Sequence, residues 1–312
     1  DIKLVAYACN GMETGFLIGF AMASIAIGLR GVRQYWLPAG LTWAALLYTR
    51  PDSPLLIAGF AGLALSVHRE DWKAEMHGLI KAGLICTVLY LPWFLWTWSY
   101  YGSPIPHTIV AKAAYGAAQE VDPWIIALLK LWAALPTMAC KVFLPPYPSL
   151  TEYWKIGVAA SLLATGIAAV AWARPSCDRA TRALSALLLC YLLYFSVQEQ
   201  HRQAYPWYFP PATLLASITI ARLFGAPRPT KSRILGWAAV VLALPMLGIN
   251  WSNGAVCLRI QQAEVENNVR MQIGLWLRQN VRPGETVYLE PLGYIGFFSR
   301  AHVLDYPGLV SP

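Results

Sequence analysis

The sequence predicts an α-helical polytopic membrane protein that also carries the start of a small extracytoplasmic α/β domain. Charged residues make up 13% of the 312 residues and hydrophobic residues 57%, whereas a soluble domain carries about 25% charged residues. Apolar stretches of helical length recur along most of the chain, and the pattern changes near residue 255. These observations favour a transmembrane core over residues 1–254 and a separate domain over residues 255–312.

The core is predicted to contain about eight membrane spans. Several apolar stretches are shorter than the ~20 residues that a perpendicular helix needs, and two of them suit a tight hairpin. The segment 124–142 contains two lysines and a proline, so we expect an interfacial or re-entrant helix there and not a span. The predicted spans are 15–29, 36–48 and 54–67 (the two hairpin stretches), 79–98, 156–173, 183–197, 207–224 and 234–250.

Basic residues in the loops predict the orientation of the core, because cytoplasmic loops carry an excess of Lys and Arg. One set of loops holds eleven basic residues and the other holds five, so the first set is predicted to be cytoplasmic. This distribution accounts for the net charge of +8 and does not indicate nucleic-acid binding. The outer face then carries the loops at 10–14, 49–54, 99–155 and 198–206.

Several classes of site are disfavoured by the absence of their motifs. The six cysteines show no CxxC or Cys/His ligand spacing, so neither a disulfide framework nor a metal site is predicted. The chain has no Ser-His-Asp order, no P-loop and no HExxH sequence. Hydrolase, ATPase and metalloprotease functions are therefore disfavoured, and no cofactor is evident.

Two outer loops place charged residues next to the predicted spans. Glu13 in "GMETG" opens a span, where an acid either complements the helix dipole or faces a cavity. Arg50 and Asp52 in "TRPDSP" interrupt an apolar hairpin. Charges at membrane depth are costly unless they pair or line a watery cavity, so this turn is either an ion-paired interface turn or part of a site.

Two further outer segments combine charges with aromatic residues. "QEQHRQAYPWYFPP" contains His201, Arg202 and Tyr205, and guanidinium groups bind phosphate while aromatic faces stack on sugars. "YYGSPIPHTIVAKAAYG" follows a Trp-rich apolar run and contains residues that suit a polar pocket, namely Tyr101, His107 and Lys112. Lys112 is a compact cation that suits a phosphate, and a lone histidine such as His107 is more often structural.

The last part of the chain has a different pattern. "RIQQAEVENNVRMQIGLWLRQNV" alternates polar and apolar residues at helical spacing, and "RPGE" suits a turn. "TVYLE" and "HVLD" suit strands on either side of "PLGYIGFFS", a short helix or loop. The chain starts without Met and stops shortly after the second strand, so we expect it to be a piece of a longer protein, cut at both ends.

The order of these motifs resembles that of the C-type (GT-C) membrane glycosyltransferases, especially the bacterial arabinofuranosyl- and mannosyl-transferase-like branch. The motifs that carry the resemblance run along most of the chain: "GMET", "TRPDSP", "YYGSPIPHTIVAK", "YPWYFPP" after Arg202, and "GYIGFFSRAHVLDYPGLVSP". The resemblance implies a GT-C-like transmembrane core in a bacterial inner or plasma membrane. Its active site would face the periplasm or the cell exterior.

The resemblance also implies a reaction and a set of site residues. A sugar would move from a polyprenyl-phosphate donor to a glycan, lipid or protein acceptor. Lys112, Arg202 and, more weakly, Arg50 are expected to bind the donor phosphate. Residues of the sugar or acceptor pocket would be Glu13, Asp52, Tyr101, His107, His201 and Tyr205. The catalytic Asp of such enzymes lies in the first outer loop, upstream of residue 1, where acids of some relatives also hold a divalent metal.

Two other functions fit the same composition. A transporter or flippase of lipid-linked sugars would share the apolar spans and the charges at membrane depth, although the chain has no internal repeat. An O-antigen ligase or polymerase would also act on the outer face, with Arg and His in a large outer loop. The sugar, the acceptor and the linkage are left open by the sequence.

Overall fold

A computed structural model shows a predominantly helical protein with two compact units. It describes residue 4 and the ranges 13–50, 52–104, 133–144, 154–199, 206–225, 248, 251–252, 254–290 and 292–305. The first unit comprises Asp1–Trp93 with Asp122–Trp251, and the second comprises Phe94–Val121 with Ser252–Pro312. The division at 251/252 stands beside the boundary that the sequence predicts at 254/255.

Helices occupy seven of the eight stretches that the sequence predicts as spans. The eighth, 234–250, lies outside the described residues except at residue 248. Two single 3-10 turns, Arg69–Asp71 and Pro206–Tyr208, each precede a helix. The helices are α1 (Thr14–Arg30), α2 (Trp36–Thr49), α3 (Pro54–Val67), α4 (Trp72–Tyr101), α5 (Trp154–Ala173), α6 (Arg179–Glu199) and α7 (Pro210–Gly225).

Three of the described helical segments are long and apolar enough to cross a membrane: Arg69–Tyr101, Trp154–Ala173 and Arg179–Val197. The first two turn large apolar side chains outward, including Val88 and Leu163, each 66% exposed. In water a monomer rarely leaves so much contiguous apolar surface uncovered. α2 and α3, at 14 residues each, are about 21 Å long, which is less than the ~30 Å hydrocarbon core.

Glycines let the helices of the first unit approach closely. A Cβ on Gly40 would lie 2.7 Å from the carbonyl oxygen of Ala82 on α4, so the backbones of α2 and α4 lie close together there. A Cβ on Gly78 would lie 2.6 Å from the backbone nitrogen of Arg33, in the loop after α1. Small residues at such crossings are typical of helices that associate by close packing in membranes.

The loops that the basic-residue count groups together meet at one end of the first unit. Ion pairs connect them: Arg33 lies 2.8 Å from Asp71, and Arg179 lies 3.4 Å from Glu70. A third pair joins Arg222, near the end of α7, to Asp178 before α6 at 3.0 Å. We name this the basic end. Its cytoplasmic location stays a prediction.

The helix predicted over 124–142 is described only in its last part. Residues 133–140 are helical, and residues 133–144 pack against α5 and α7. The backbone N–H of Phe143 donates to Ser161 Oγ at 2.7 Å, and Thr213 Oγ1 donates to the carbonyl of Val142. The described portion, about two helical turns, is too short to cross a bilayer.

The second unit contains the helix, turn and strand pattern that the sequence predicts after residue 255. Helical residues 254–260 continue into a π-helix, Gln261–Arg270, and then into α8, Met271–Asn280. The chain turns at Gly284, whose φ of 88° lies in the left-handed region that glycine favours. β1 (Thr286–Leu289), α9 (Leu292–Ser299) and β2 (His302–Asp305) follow.

The two strands of this unit are parallel, with α9 as the crossover between them. Thr286 pairs with His302 and Leu289 with Asp305. Parallel neighbours require such a crossover, because a tight hairpin can join only antiparallel strands. α9 packs on α8 at Gly274, where a Cβ would lie 2.8 Å from the Cβ of Phe298. The described part of this unit therefore contains a β-α-β arrangement beside a long helix.

Candidate functional site

Three of the residues that the sequence singles out come together at the end of the first unit opposite the basic end. Glu13 precedes α1, and Arg50 and Asp52 lie in the turn between α2 and α3. Arg50 is the centre of the group. Its Nη1 lies 3.7 Å from Glu13 Oε1, and its Nε lies 2.9 Å from Asp52 Oδ1. We name Glu13, Arg50, Asp52, Trp207 and Tyr208 the Arg50 cluster.

The pair formed by Arg50 and Asp52 is bidentate. Nε of the guanidinium donates to Oδ1 at 2.9 Å, and Nη2 donates to Oδ2 at 3.0 Å. Such two-point pairing is stronger and more directional than a single charged hydrogen bond. It is local in sequence, since the two residues lie two positions apart. The turn "TRPDSP" therefore folds as an ion-paired turn.

Backbone hydrogen bonds set the shape of this turn. The N–H of Arg50 caps α2 by donating to the carbonyl of Leu46 at 3.0 Å. Ser53 Oγ donates to the same carbonyl at 2.8 Å, and the N–H of Ser53 donates to the carbonyl of Arg50 at 3.1 Å. α3 then starts with Pro54, which suits a first helical position because it has no N–H to satisfy.

The Arg50 cluster is completed by the 3-10 turn before α7. Arg50 Nη1 donates to the carbonyl of Trp207 at 3.2 Å, and its guanidinium carbon lies 4.5 Å from the centre of the Tyr208 ring. The hydroxyl of Tyr191 on α6 donates to the carbonyl of Tyr208 at 2.8 Å. Arg50 thus joins the start of α1, the α2–α3 turn and the start of α7.

The charges of the Arg50 cluster sum to −1, since one guanidinium faces two carboxylates. Burial alone lowers the pKa of Arg50, but Asp52, Tyr191 and Glu13 outweigh it, and the net pKa is raised. Arg50 therefore stays a cation under all ordinary conditions. Only 7% of its side chain is exposed, against 21% for Asp52 and 38% for Glu13. Among the three charged side chains of the Arg50 cluster, the two carboxylates are therefore the more exposed.

The other six predicted site residues fall outside the described residues or in the second unit. Lys112, His107, Arg202, His201 and Tyr205 lie outside the described residues. Tyr101 is described at the end of α4 in the second unit, 37% exposed, with its ring 4.8 Å from that of Tyr100. The assignment of these six residues stays a prediction.

Two residues near the Arg50 cluster could not be singled out from the sequence. Tyr191 lies within an apolar stretch of α6, where an aromatic residue suggests only packing. Thr14 follows Glu13 in "GMETG" and is completely buried. Its hydroxyl has no hydrogen-bond partner among the residues that the structure describes. A threonine in a helix usually donates to the carbonyl four residues earlier, but Thr14 is the first residue of α1.

A buried carboxylate also lies at the basic end. Glu75 near the start of α4 is fully buried and accepts hydrogen bonds from the backbone N–H groups of Val32 and, at 3.3 Å, Arg33. These donors follow Gly31, whose φ of 108° turns the chain out of α1. Nε2 of His68 is buried nearby without a hydrogen-bond partner among the described residues. Glu75 therefore fixes α4 to the loop between α1 and α2.

Among the residues that the structure describes, no group of three or more His, Cys, Asp or Glu side chains could hold a metal ion. The carboxylates of Glu13 and Asp52 both form ion pairs with the guanidinium of Arg50. The Arg50 cluster is therefore suited to hydrogen bonding.

A comparison with known families identifies one part of the chain. Residues 259–312 match a family model. It is described as a domain of unknown function (DUF8728), and its match covers most of the long helix and the β-α-β arrangement of the second unit. Neither a curated protein nor a solved structure matches the chain.

Proposed function

We propose that this protein is a membrane glycosyltransferase of the GT-C type, moving a sugar from a polyprenyl-phosphate donor to a glycan, lipid or protein acceptor. The observation that supports it best is the Arg50 cluster. Partly exposed carboxylates meet aromatic rings there, at the end of the helices opposite the basic end. Carboxylates accept hydrogen bonds from sugar hydroxyls, and aromatic faces stack on sugar rings.

The setting of the reaction would be the outer face of a bacterial inner or plasma membrane. Three described helices have the length and apolar composition for crossing a bilayer. The basic end carries loops whose arginines form ion pairs, and an excess of basic residues favours the cytoplasm. The Arg50 cluster would then face the periplasm or the cell exterior, where lipid-linked donors are used.

The chemistry would be a direct transfer. A base accepts the proton of the acceptor hydroxyl, the oxygen attacks the anomeric carbon, and the bond to the polyprenyl phosphate breaks with its electrons going to the phosphate. Fixed cations stabilise the charge that develops on the leaving group. Lys112 and Arg202 are the proposed cations. No residue of this chain is proposed as the base.

Arg50 is a weaker candidate for phosphate binding. A phosphate would have to displace Asp52 from a bidentate pair, and it would approach two carboxylates. The positive charge of Arg50 is already paired with carboxylates of the protein itself. We therefore propose that Arg50 organises the site and that the donor phosphate binds at Lys112 and Arg202.

The test is transfer by the full-length protein in proteoliposomes. Polyprenyl-phosphate arabinofuranose, mannose and glucose, each with a radiolabelled sugar, would be supplied together with membrane extract as acceptor. We expect one donor to label an acceptor. Lys112→Ala and Arg202→Ala should each lower the rate at least about 100-fold, as expected for removing one electrostatic contact to a transition state.

The matched controls are Lys73→Ala and Arg174→Ala at the basic end. They truncate one lysine and one arginine on the predicted cytoplasmic side, and the rate of sugar transfer should be unchanged. Near-normal rates in the Lys112 and Arg202 variants would refute the site. Movement of the labelled lipid across the bilayer without sugar transfer would indicate that the protein is a flippase and not an enzyme. Transfer of a preassembled glycan would indicate a ligase.

A further inference from the structure

One side of α4 changes from basic to apolar along its length. The opposite side of the helix is buried, with Leu79 8% and Ala82 0% exposed. On the uncovered side the residues lie three or four positions apart, which places them one above another along the helix. We name these residues, all of them exposed, the α4 stripe: Lys73, His77, Ile80, Lys81, Leu84 and Val88.

The first part of the α4 stripe carries positive charge. Lys73 and Lys81 lie about 12 Å apart along the helix axis, with His77 between them. Each ammonium lies near an indole. Lys73 Nζ is 5.9 Å from the centre of the Trp72 ring, and Lys81 Nζ is 5.8 Å from that of Trp36 on α2. Neither lysine forms an ion pair with a residue that the structure describes, so both ammonium groups keep N–H donors for an anion.

Acidic side chains beside the α4 stripe are bound to other groups. Asp71, just before α4, lies 2.8 Å from Arg33. Glu70 lies 3.4 Å from Arg179. Glu75 lies on the buried side of α4 and accepts hydrogen bonds from two backbone N–H groups. An anion that binds the two lysines therefore has no carboxylate to displace among the described residues.

The second part of the α4 stripe is apolar. Ile80, Leu84 and Val88 are 56%, 60% and 66% exposed. They belong to the segment Arg69–Tyr101, which is long and apolar enough to cross a membrane. A hydrocarbon chain along this side of the helix would remove its apolar surface from water. A phospholipid has the same order of groups as the stripe, a charged headgroup followed by hydrocarbon.

A phospholipid fits the α4 stripe better than a second copy of the chain does. In a symmetric contact between two parallel α4 helices, the lysines of one copy would face those of the other, and like charges repel. In an antiparallel contact, the lysines would be buried against Leu84 and Val88, where an unpaired charge is costly. A lipid with an anionic headgroup places its phosphate against the cations and its acyl chain against the apolar residues.

We infer that the α4 stripe binds a phospholipid with an anionic headgroup from the leaflet at the basic end. Its phosphate accepts hydrogen bonds from Lys73, His77 and Lys81, and one acyl chain lies along Leu84 and Val88. The indoles beside the two lysines flank the headgroup, the position that tryptophan favours at membrane interfaces. This binding takes no part in the proposed sugar transfer and does not depend on it.

Native mass spectrometry of the full chain, released from detergent micelles, tests the lipid site. The probes are dimyristoyl phosphatidylglycerol and dimyristoyl phosphatidylcholine, which share their acyl chains and differ in net charge. We expect phosphatidylglycerol to bind at least about 10-fold more tightly. Lys73→Gln and Lys81→Gln should each weaken its binding about 5-fold, the usual contribution of one lysine near an anionic lipid surface. The affinity for phosphatidylcholine should not change.

Lys155 provides a matched control. It lies at the start of α5, and its Nζ is 6.0 Å from the centre of the exposed Trp154 ring, so it repeats the contact between lysine and tryptophan. It is the single basic residue of α5 and lies at the end of the first unit opposite the basic end. Lys155→Gln should leave the affinity for phosphatidylglycerol unchanged. All three lysines are exposed, so each variant should keep the melting temperature of the natural protein.

Glycerol 3-phosphate distinguishes a lipid site from a site for free phosphate. It carries the phosphate without acyl chains and should not displace phosphatidylglycerol at equal concentration. The inference is overturned if the two phospholipids bind equally, if Lys155→Gln weakens binding as much as Lys81→Gln, or if glycerol 3-phosphate competes. A dimer that excludes phosphatidylglycerol would assign the α4 stripe to a second copy of the chain and would also overturn it.

Discussion

The guanidinium of Arg50 and the carboxylate of Asp52 form a two-point ion pair at 2.9 and 3.0 Å, and only 7% of the Arg50 side chain is exposed. Arg50 also donates to the carbonyl of Trp207, which lies 157 positions away. One side chain therefore neutralises a charge within its own turn and connects two distant parts of the first unit.

Arg50→Lys should destabilise the protein although it conserves the charge. Lysine offers a single ammonium in place of the planar fork, so it cannot pair Asp52 at two points and also reach Trp207. We expect a loss of about 1–3 kcal/mol in the free energy of unfolding. Thermal unfolding of the full chain in detergent, followed by circular dichroism, measures it. Arg33→Lys is the control, because its pair with Asp71 is half-exposed and contributes little.

Gly78→Ala should separate α4 from the loop after α1. Its Cβ would lie 2.6 Å from the backbone nitrogen of Arg33 and 2.9 Å from the carbonyl carbon of Val32, neither of which can rotate away. Overpacking of this kind costs about 1–3 kcal/mol. Gly83 on the same helix has no atom within 4 Å of its Cβ position, so Gly83→Ala should stabilise by up to ~1 kcal/mol. Equal melting temperatures for the two variants would contradict the packing.

Glu75→Gln should weaken the basic end. The carboxylate accepts from two successive backbone N–H groups, and the glutamine amide would direct an NH₂ group at one of them. A buried N–H left without an acceptor, together with the loss of a charged hydrogen bond, costs about 2–3 kcal/mol. Glu70→Gln serves as the control, since Glu70 is 88% exposed. Hydrogen exchange at the amides of Val32 and Arg33 should increase in the Glu75 variant alone.

Asp178 should make the protein less stable in acid. Burial raises the pKa of this carboxyl, but hydrogen bonds from Thr181 and Arg222 outweigh it, and the net pKa is lowered. A lowered pKa in the folded state means that the stabilisation is present above the pKa of the unfolded chain, about 3.9, and is lost as the pH falls below it. The melting temperature should therefore drop more between pH 5 and pH 3 in the natural protein than in Asp178→Asn. Parallel acid profiles for the two proteins would count against this role.

The positions of the helices could be predicted because apolar composition marks them directly. The stretch 15–29 is α1, Thr14–Arg30, and 156–173 is α5, Trp154–Ala173. Loop charges likewise predicted which loops share an end, since Arg33, Arg179 and Arg222 all make ion pairs at the basic end. Composition and charge are properties of short segments, so a single sequence reveals them.

The contacts that join distant parts of the chain are different in kind. Glu75 binds backbone N–H groups 42 and 43 positions earlier, and Tyr191 binds the carbonyl of Tyr208. Backbone donors and acceptors exist at nearly every position, so no residue type marks the partner in advance. An ion pair of Arg50 with Asp52 was one of the two alternatives that the sequence left open for this turn, because both partners are charged side chains close together in the chain.

The separation in sequence between Arg50 and Trp207 determines when their contact can form during protein synthesis. Synthesis proceeds from the N-terminus, so the α2–α3 hairpin leaves the ribosome long before the turn that precedes α7. Asp52 accompanies Arg50 in the same hairpin, so the charge of Arg50 can be neutralised before its later partners have been synthesised. The contacts with Trp207 and Tyr208 form only after α6 and α7 have followed. Assembly of the Arg50 cluster is thus a late event in biosynthesis, and nascent chains that stop before residue 206 would lack it.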